Sequence, residues 1–115
     1  MKIVVLKFGG TSVGTIEKIK KVTDIIIEHK KKKNKVIVVS SAMSGVTNDL
    51  IKKSKQISNN FIDSEYDVLV SSGEQVACSL IAGRLNHKGF KSRSWLGWQI
   101  PIFTNGPYTN SRIQQ

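Results

Sequence analysis

The sequence has 115 residues, 39% of them hydrophobic, with 9 glycines against 2 prolines, which suffices for one modest core and so for one small domain or a piece of a larger one. Lysine and arginine number 18 against 8 aspartates and glutamates, a formal charge of +10 that suits an anionic partner. No run approaches the roughly 18 apolar residues of a membrane span, the lone Cys78 excludes an internal disulfide, and His29 and His87 give no metal-ligand spacing, so a soluble, cytoplasmic protein with no metal site, signal peptide or anchor is expected.

Lys2 to Phe8 is predicted as a strand, because Ile3, Val4, Val5 and Leu6 form the short β-branched run typical of a parallel strand buried on both faces. Gly9, Gly10 and Gly14 break it. From Thr15, a candidate N-cap, the pattern turns helical, with Ile16, Ile19, Val22 and Ile26 three or four apart and an end near Lys33 and Asn34. Val36 to Val39 make a second buried strand, and strand, helix, strand in this order predicts a right-handed βαβ unit in an α/β fold. Lys18, Lys20, Lys21, Lys30 to Lys33 and Lys35 sit on or just after this helix, with no aromatic residues between them to stack on bases. They read as a solvated face, with Lys30 to Lys33 meeting the negative end of the helix dipole.

Ser40 to Thr47 is predicted as a polar loop, followed by a helix over Asn48 to Ile57 with Leu50, Ile51 and Ile57 inward. Ser58 to Tyr66 carries no clear pattern. Ser71-Ser72-Gly73-Glu74 matches a capping box, from which Val76, Ala77, Leu80, Ile81 and Leu85 continue as an amphipathic helix to about Asn86, with Gly89 as its stop. Cys78 reads there as a small buried hydrophobe. Phe90 to Ser94 and Ile100 to Thr104 are candidate strands, Trp95 and Trp98 between them are core or interface anchors, and Asn105-Gly106-Pro107 is a turn. Tyr108 to Gln115 show no completed element, and no repeat or linker marks a domain boundary.

Three places can carry chemistry. Lys7-Phe8-Gly9-Gly10-Thr11-Ser12 puts a lysine at a strand end before two glycines and two hydroxyls; glycines let backbone approach an anion, amides ahead of a helix form a nest, and lysine adds charge. An ordinary strand-to-helix turn is the alternative, and a Walker A loop is excluded because the lysine precedes the glycines. The loop Ser40 to Asn48 leaves the next parallel strand at the same sheet edge, where ligands of open α/β sheets gather; Ser41 and Thr47 are its candidates, although Thr47 also suits helix capping. Glu74 either caps its own helix or meets a substrate ammonium group.

These blocks resemble the aspartate kinases, a branch of the amino acid kinase superfamily: Lys7-Phe8-Gly9-Gly10-Thr11-Ser12-Val13-Gly14, Val38-Val39-Ser40-Ser41-Ala42-Met43-Ser44-Gly45-Val46-Thr47, Ser72-Gly73-Glu74-Gln75, then Trp98 to Ile102 and Thr109 to Ile113. The resemblance implies a three-layer α/β sandwich with a mainly parallel central sheet, here incomplete, and transfer of the ATP γ-phosphoryl group to the side-chain carboxylate of L-aspartate with Mg2+. It implies that Lys7 stabilises the transferring phosphoryl group, that Phe8, Gly9, Gly10 and Ser41 line the ATP phosphates, and that Thr47 and Glu74 bind aspartate. By this resemblance residues 1–115 are the N-terminal part of the catalytic domain, without the C-terminal nucleotide-binding half or the regulatory ACT domains. The isolated chain is accordingly expected to be inactive alone and to associate with itself or with a complementing chain, with neither membrane nor nucleic acid as a partner. The alternatives are another amino acid kinase sharing the phosphate turn, or a non-catalytic basic fragment that binds acidic partners.

Overall fold

The β-branched runs form two six-residue strands, β1 at Ile3–Phe8 and β2 at Lys35–Ser40, in a computed structural model that describes residues 1–114. They pair in parallel from Ile3 beside Lys35 to Phe8 beside Ser40. Parallel strands need a long crossover, and helix α1, Ile16–Lys31, provides it. Thr15 caps α1 as expected, its hydroxyl accepting from the Lys18 amide at 3.2 Å. Helix α2, Val46–Ile57, and the 25-residue helix α3, Asp63–His87, follow. The chain closes with a two-residue antiparallel pair, β3 at Thr104–Asn105 and β4 at Arg112–Ile113.

The core lies between the sheet and the helices. Val13, Ile19, Val22, Ile26, Ile27, Ile81 and Leu85 are buried together, and Leu6, Phe8, Val36 and Val38 pack on them from the strands. Ile27 takes the inward place expected of Ile16, which is exposed at the helix start. The opposite strand face is bare: Ile3 is 67% exposed, Val5 62%, Ile37 53% and Val39 47%. Burial on both faces is thus not what the described residues provide; they form two layers of the expected sandwich, the sheet and one helical layer.

Three local expectations are revised. First, α3 starts at Asp63 and not after Ser71. Ser71 and Ser72 donate backwards to the carbonyls of Val68 and Leu69 at 3.0 and 2.7 Å, bonds that fit inside a helix and cap nothing. Asp63 and Glu65, in the first turn, favour the true start by facing the positive dipole end. Second, Phe90 to Ser94 is extended but unpaired. The Asn86 side chain takes both main-chain groups of Ser92, donating to its carbonyl at 2.8 Å and accepting from its amide at 3.1 Å, so the middle of the segment spends its ladder groups on a side chain. Third, strand pairing falls on Thr104–Asn105 and Arg112–Ile113 in place of Ile100 to Thr104, because the turn at Gly106, with φ of 120°, folds the second segment back. The predicted stretch Tyr108 to Gln115 therefore does contain a short strand; Gln115 lies outside the described residues.

Candidate functional site

Parallel pairing sends the loops after β1 and β2 off the same edge of the sheet. The Ser41 amide donates to the Phe8 carbonyl at 3.0 Å, which extends the pairing one residue past the strands and ties the second loop to the root of the first. The first loop then turns, the Ser12 amide closing on the Gly9 carbonyl at 3.0 Å. Gly10 is where the loops meet: a Cβ there would lie 3.2 Å from the Ala42 carbonyl oxygen. Gly9 differs, since a Cβ would meet nothing within 4 Å. The Gly9 side of the turn is therefore open to a ligand while the Gly10 side is packed. Lys7 is exposed at the end of β1, Phe8 is half-buried against the core, and Ser41 is half-buried.

Thr47 does not cap α2. Gly45 occupies the cap position in the left-handed region, φ 83°, and no side chain caps this helix end. Thr47 instead sits in the first turn of α2, half-buried. Glu74 does not cap α3 either, because it lies well inside that helix and is exposed. Its neighbour Gly73 is buried: a Cβ there would stand 3.0 Å from the Ala42 Cβ and 3.2 Å from the Val46 Cγ1. Ala42 thus meets both Gly10 and Gly73, so one residue of the second loop joins the turn after β1 to α3. Lys7, Phe8, Gly9, Gly10, Ser41, Thr47 and Glu74 all lie on or directly beside these three mutually packed segments.

Burial raises the Cys78 thiol above its usual range, and the Glu74 carboxylate one turn away adds to the effect. It is a half-buried neutral thiol, less enclosed than a core residue. Trp95 and Trp98 are 51% and 71% exposed, so neither anchors the core. A groove of about 450 Å³ runs along β2 and reaches the loop edge only at Ser40. The candidate site is an open edge and not a closed pocket. Among the described residues no three His, Cys, Asp or Glu side chains gather as metal ligands, and no helix is long and apolar enough to cross a membrane.

Sequence reasoning named Gly73 only as part of a motif, missing its packing role, and missed Arg84 altogether. Gly73, Ala77, Ile81 and Leu85 form the buried stripe of α3 at intervals of four, and that spacing was the available signal. Arg84 lies beside the stripe and joins α3 to α1, donating to the Lys20 carbonyl at 2.9 Å, to the Asp24 carboxylate at 2.8 Å and to the Thr23 hydroxyl. Arg84 holds the Asp24 carboxyl below its ordinary pKa.

The model of the amino acid kinase family matches residues 2–115. The aspartokinase of Geobacillus stearothermophilus is 49% identical over 98% of this chain, and the aspartate kinase of Pseudomonas putida is 43% identical over all of it. The chain spans only 28% of the length of either relative. Among solved structures, the aspartate kinase from Synechocystis superposes with a TM-score of 0.71 at 42% identity, covering 76% of this chain and 15% of that one. E. coli aspartokinase III, crystallised in complex with aspartate and ADP, superposes with a TM-score of 0.79 over 97% of this chain and 35% of its own. At 21% identity this second likeness concerns the fold alone.

Proposed function

Because the chain belongs to the amino acid kinase family, we propose that its 115 residues form the N-terminal part of an aspartate kinase catalytic domain, contributing the phosphate cradle and part of the aspartate pocket for phosphoryl transfer from ATP to the L-aspartate side chain. One observation carries this reading. Ala42 packs against Gly10 on one side and Gly73 on the other, which holds the phosphate turn, the Ser41 loop and the Glu74 helix together at one sheet edge, in a chain that aligns throughout its length with aspartate kinases.

Phosphoryl transfer asks a protein mainly for positioning and for charge where negative charge develops. Lys7 supplies that charge as a compact ammonium beside the turn, and the main chain around Phe8, Gly9 and Gly10, with Ser41 opposite, receives the phosphates. Thr47 offers its hydroxyl in the first turn of α2, where the helix dipole favours an anionic group. Glu74, an exposed carboxylate side chain, suits the substrate ammonium. Mg2+ is usually held by one or two carboxylates together with waters and the substrate phosphates, so it would enter here with ATP, supplying charge neutralisation at the phosphates that Lys7 faces.

The test follows ATP-dependent acyl phosphate, trapped as the hydroxamate, alongside thermal melting with inorganic tripolyphosphate and with L-aspartate. The expected result is stabilisation by tripolyphosphate that disappears in Lys7→Ala, stabilisation by aspartate that disappears in Glu74→Gln, and no hydroxamate from the 115 residues alone. Hydroxamate formed by the unaltered chain and lost in Lys7→Ala would show that these residues suffice for turnover. Indifference to both ligands would remove the proposal, and stabilisation by another acidic substrate but not by aspartate would assign the edge to a different member of the family.

A further inference from the structure

The exposed side of α1 divides into two stripes of different character. Residues three and four apart are neighbours on a helix, and Glu17, Lys20, Asp24, Glu28 and Lys31 form one such row. Its charges are matched: Lys20 meets Glu17 at 3.1 Å, Lys31 meets Glu28 at 3.3 Å, and Asp24 meets Arg84 of α3 at 2.8 Å. The other row, Lys18, Lys21, Ile25, His29 and the cap residue Lys32, holds no acid. Among the described residues none of its three lysines has a carboxylate partner, and Ile25 stands 47% exposed at its centre. Beyond the helix end Lys33, Lys35 and Lys2 continue the same sign, the Lys35 amide donating to the Lys2 carbonyl at 2.8 Å. Lysine is almost never fully buried unless paired, so this row is a surface of the molecule. It lies across the sheet from the bare face of Ile3, Val5, Ile37 and Val39.

We propose that this row docks an acidic helix of a partner protein, with apolar side chains set over Ile25 and carboxylates over Lys18, Lys21 and Lys32. Lys18 and Lys21 are three apart and repel one another, a cost that an anionic partner removes. α1 satisfies its own main chain, so it offers an extended peptide no ladder bonds; a helix, which satisfies its own, is the form that fits. Laid at a shallow crossing angle, such a helix follows the row over its full length of roughly 21 Å. Nucleic acid matches the lysines but not an isoleucine among them, and the row has no aromatic residue for base stacking. A second copy of this chain is opposed by the formal charge of +10. The inference does not rest on the kinase reading, since the row uses none of that site's residues.

The probe is a fluorescein-labelled peptide of three Glu-Glu-Leu-Ala repeats closed by Glu-Glu, followed by fluorescence anisotropy as the 115-residue chain is titrated in. Saturable, salt-sensitive binding is expected, weakened about tenfold or more by the triple substitution Lys18→Gln, Lys21→Gln and Lys32→Gln. Ile25→Ser is expected to weaken it about fivefold. The control triple Lys52→Gln, Lys53→Gln and Lys55→Gln, on exposed positions of α2, removes the same charge and should leave binding within about twofold. Equal loss in both triples would reduce the effect to net charge and overturn the row as a site. Unchanged binding in Ile25→Ser would overturn a protein helix as the occupant, and displacement of the peptide by duplex RNA would then assign the row to phosphate polyanions. Absence of binding would overturn the docking surface outright. Should the Lys18, Lys21, Lys32 triple lose its helical far-ultraviolet signal, Ile25→Ser and a peptide with serine in place of leucine decide, weaker binding in both supporting the proposal and equal binding in either overturning it.

Discussion

Gly9 and Gly10 are neighbours of the same residue type in opposite surroundings. A methyl group at position 9 meets open space, whereas one at position 10 meets the Ala42 carbonyl at 3.2 Å. Gly9→Ala is therefore expected to leave the melting temperature nearly unchanged but to weaken tripolyphosphate binding, because the methyl occupies the open side of the turn. Gly10→Ala is expected to cost about 1–3 kcal/mol by forcing the two loops apart, measured by urea denaturation, and to weaken binding as well. Arg84 carries the second prediction at this scale. Removing its bonds to the Thr23 hydroxyl and the Lys20 carbonyl in Arg84→Met is expected to cost about 1–2 kcal/mol. Part of the difference depends on pH: the folded pKa of Asp24 is depressed by Arg84, so its stabilising contribution is present above the unfolded carboxyl value near ~3.9 and is lost as pH falls through the lower folded value. Melting curves of the two proteins should thus draw closer together below about pH 4.

Among the elements, α1 and α3 each carry a feature that packing imposed. Two residues past the end of α1, Lys33 is in the left-handed region, φ 61°, its amide bonded to the Lys30 carbonyl at 2.9 Å. This backbone costs an L-residue about 1–2 kcal/mol, which glycine avoids while losing some entropy on folding. Lys33→Gly is expected to raise stability by about 0.5–1 kcal/mol, seen as a higher denaturation midpoint with an unchanged slope. In α3 the close approach of Gly73 to Ala42 and Val46 leaves no room for a branched side chain. Gly73→Val should cost about 1–3 kcal/mol despite valine's better helix propensity, and it should weaken aspartate and tripolyphosphate binding together, since it moves the loop that both readings share.

For the whole molecule, the bare sheet face is the dominant feature. Ile3, Val5, Ile37 and Val39 form an exposed apolar patch, of the kind that marks an interaction surface or an association hazard. The chain is expected to bind a hydrophobic dye such as anilinonaphthalene sulfonate while fully folded. The double substitution Val5→Thr with Ile37→Thr should reduce that fluorescence markedly without lowering the melting temperature, since threonine keeps the β preference and these side chains touch no core. Dye binding that appears only on unfolding would contradict this account. The bare face and the free edge of β2 belong to the same unfinished sheet, and both are surfaces on which further polypeptide can pack.

What the sequence determined by itself was local. The β-branched runs of β1 and β2, the Thr15 cap, the three-and-four spacing of α1 and the Lys7-Phe8-Gly9-Gly10 turn each depend on residues within a few positions of one another, and their strand, helix, strand order made one shared edge the expected place for a site. Tertiary structure decided the rest. Ser71 to Glu74 had the chemistry of a helix start, but a helix already running from Asp63 satisfies its amides internally, and Ser71 and Ser72 turn their hydroxyls back onto it. Phe90 to Ser94 had the composition of a strand, but the Asn86 side chain took the main-chain groups of Ser92. Gly73 and Arg84 mattered only once α3 lay against Ala42 and α1. Periodicity tells which face of an element is apolar; only packing tells what that face meets, because the contacts that join the turn after β1 to the Glu74 helix link residues far apart in the chain, Gly10 and Gly73 both meeting Ala42.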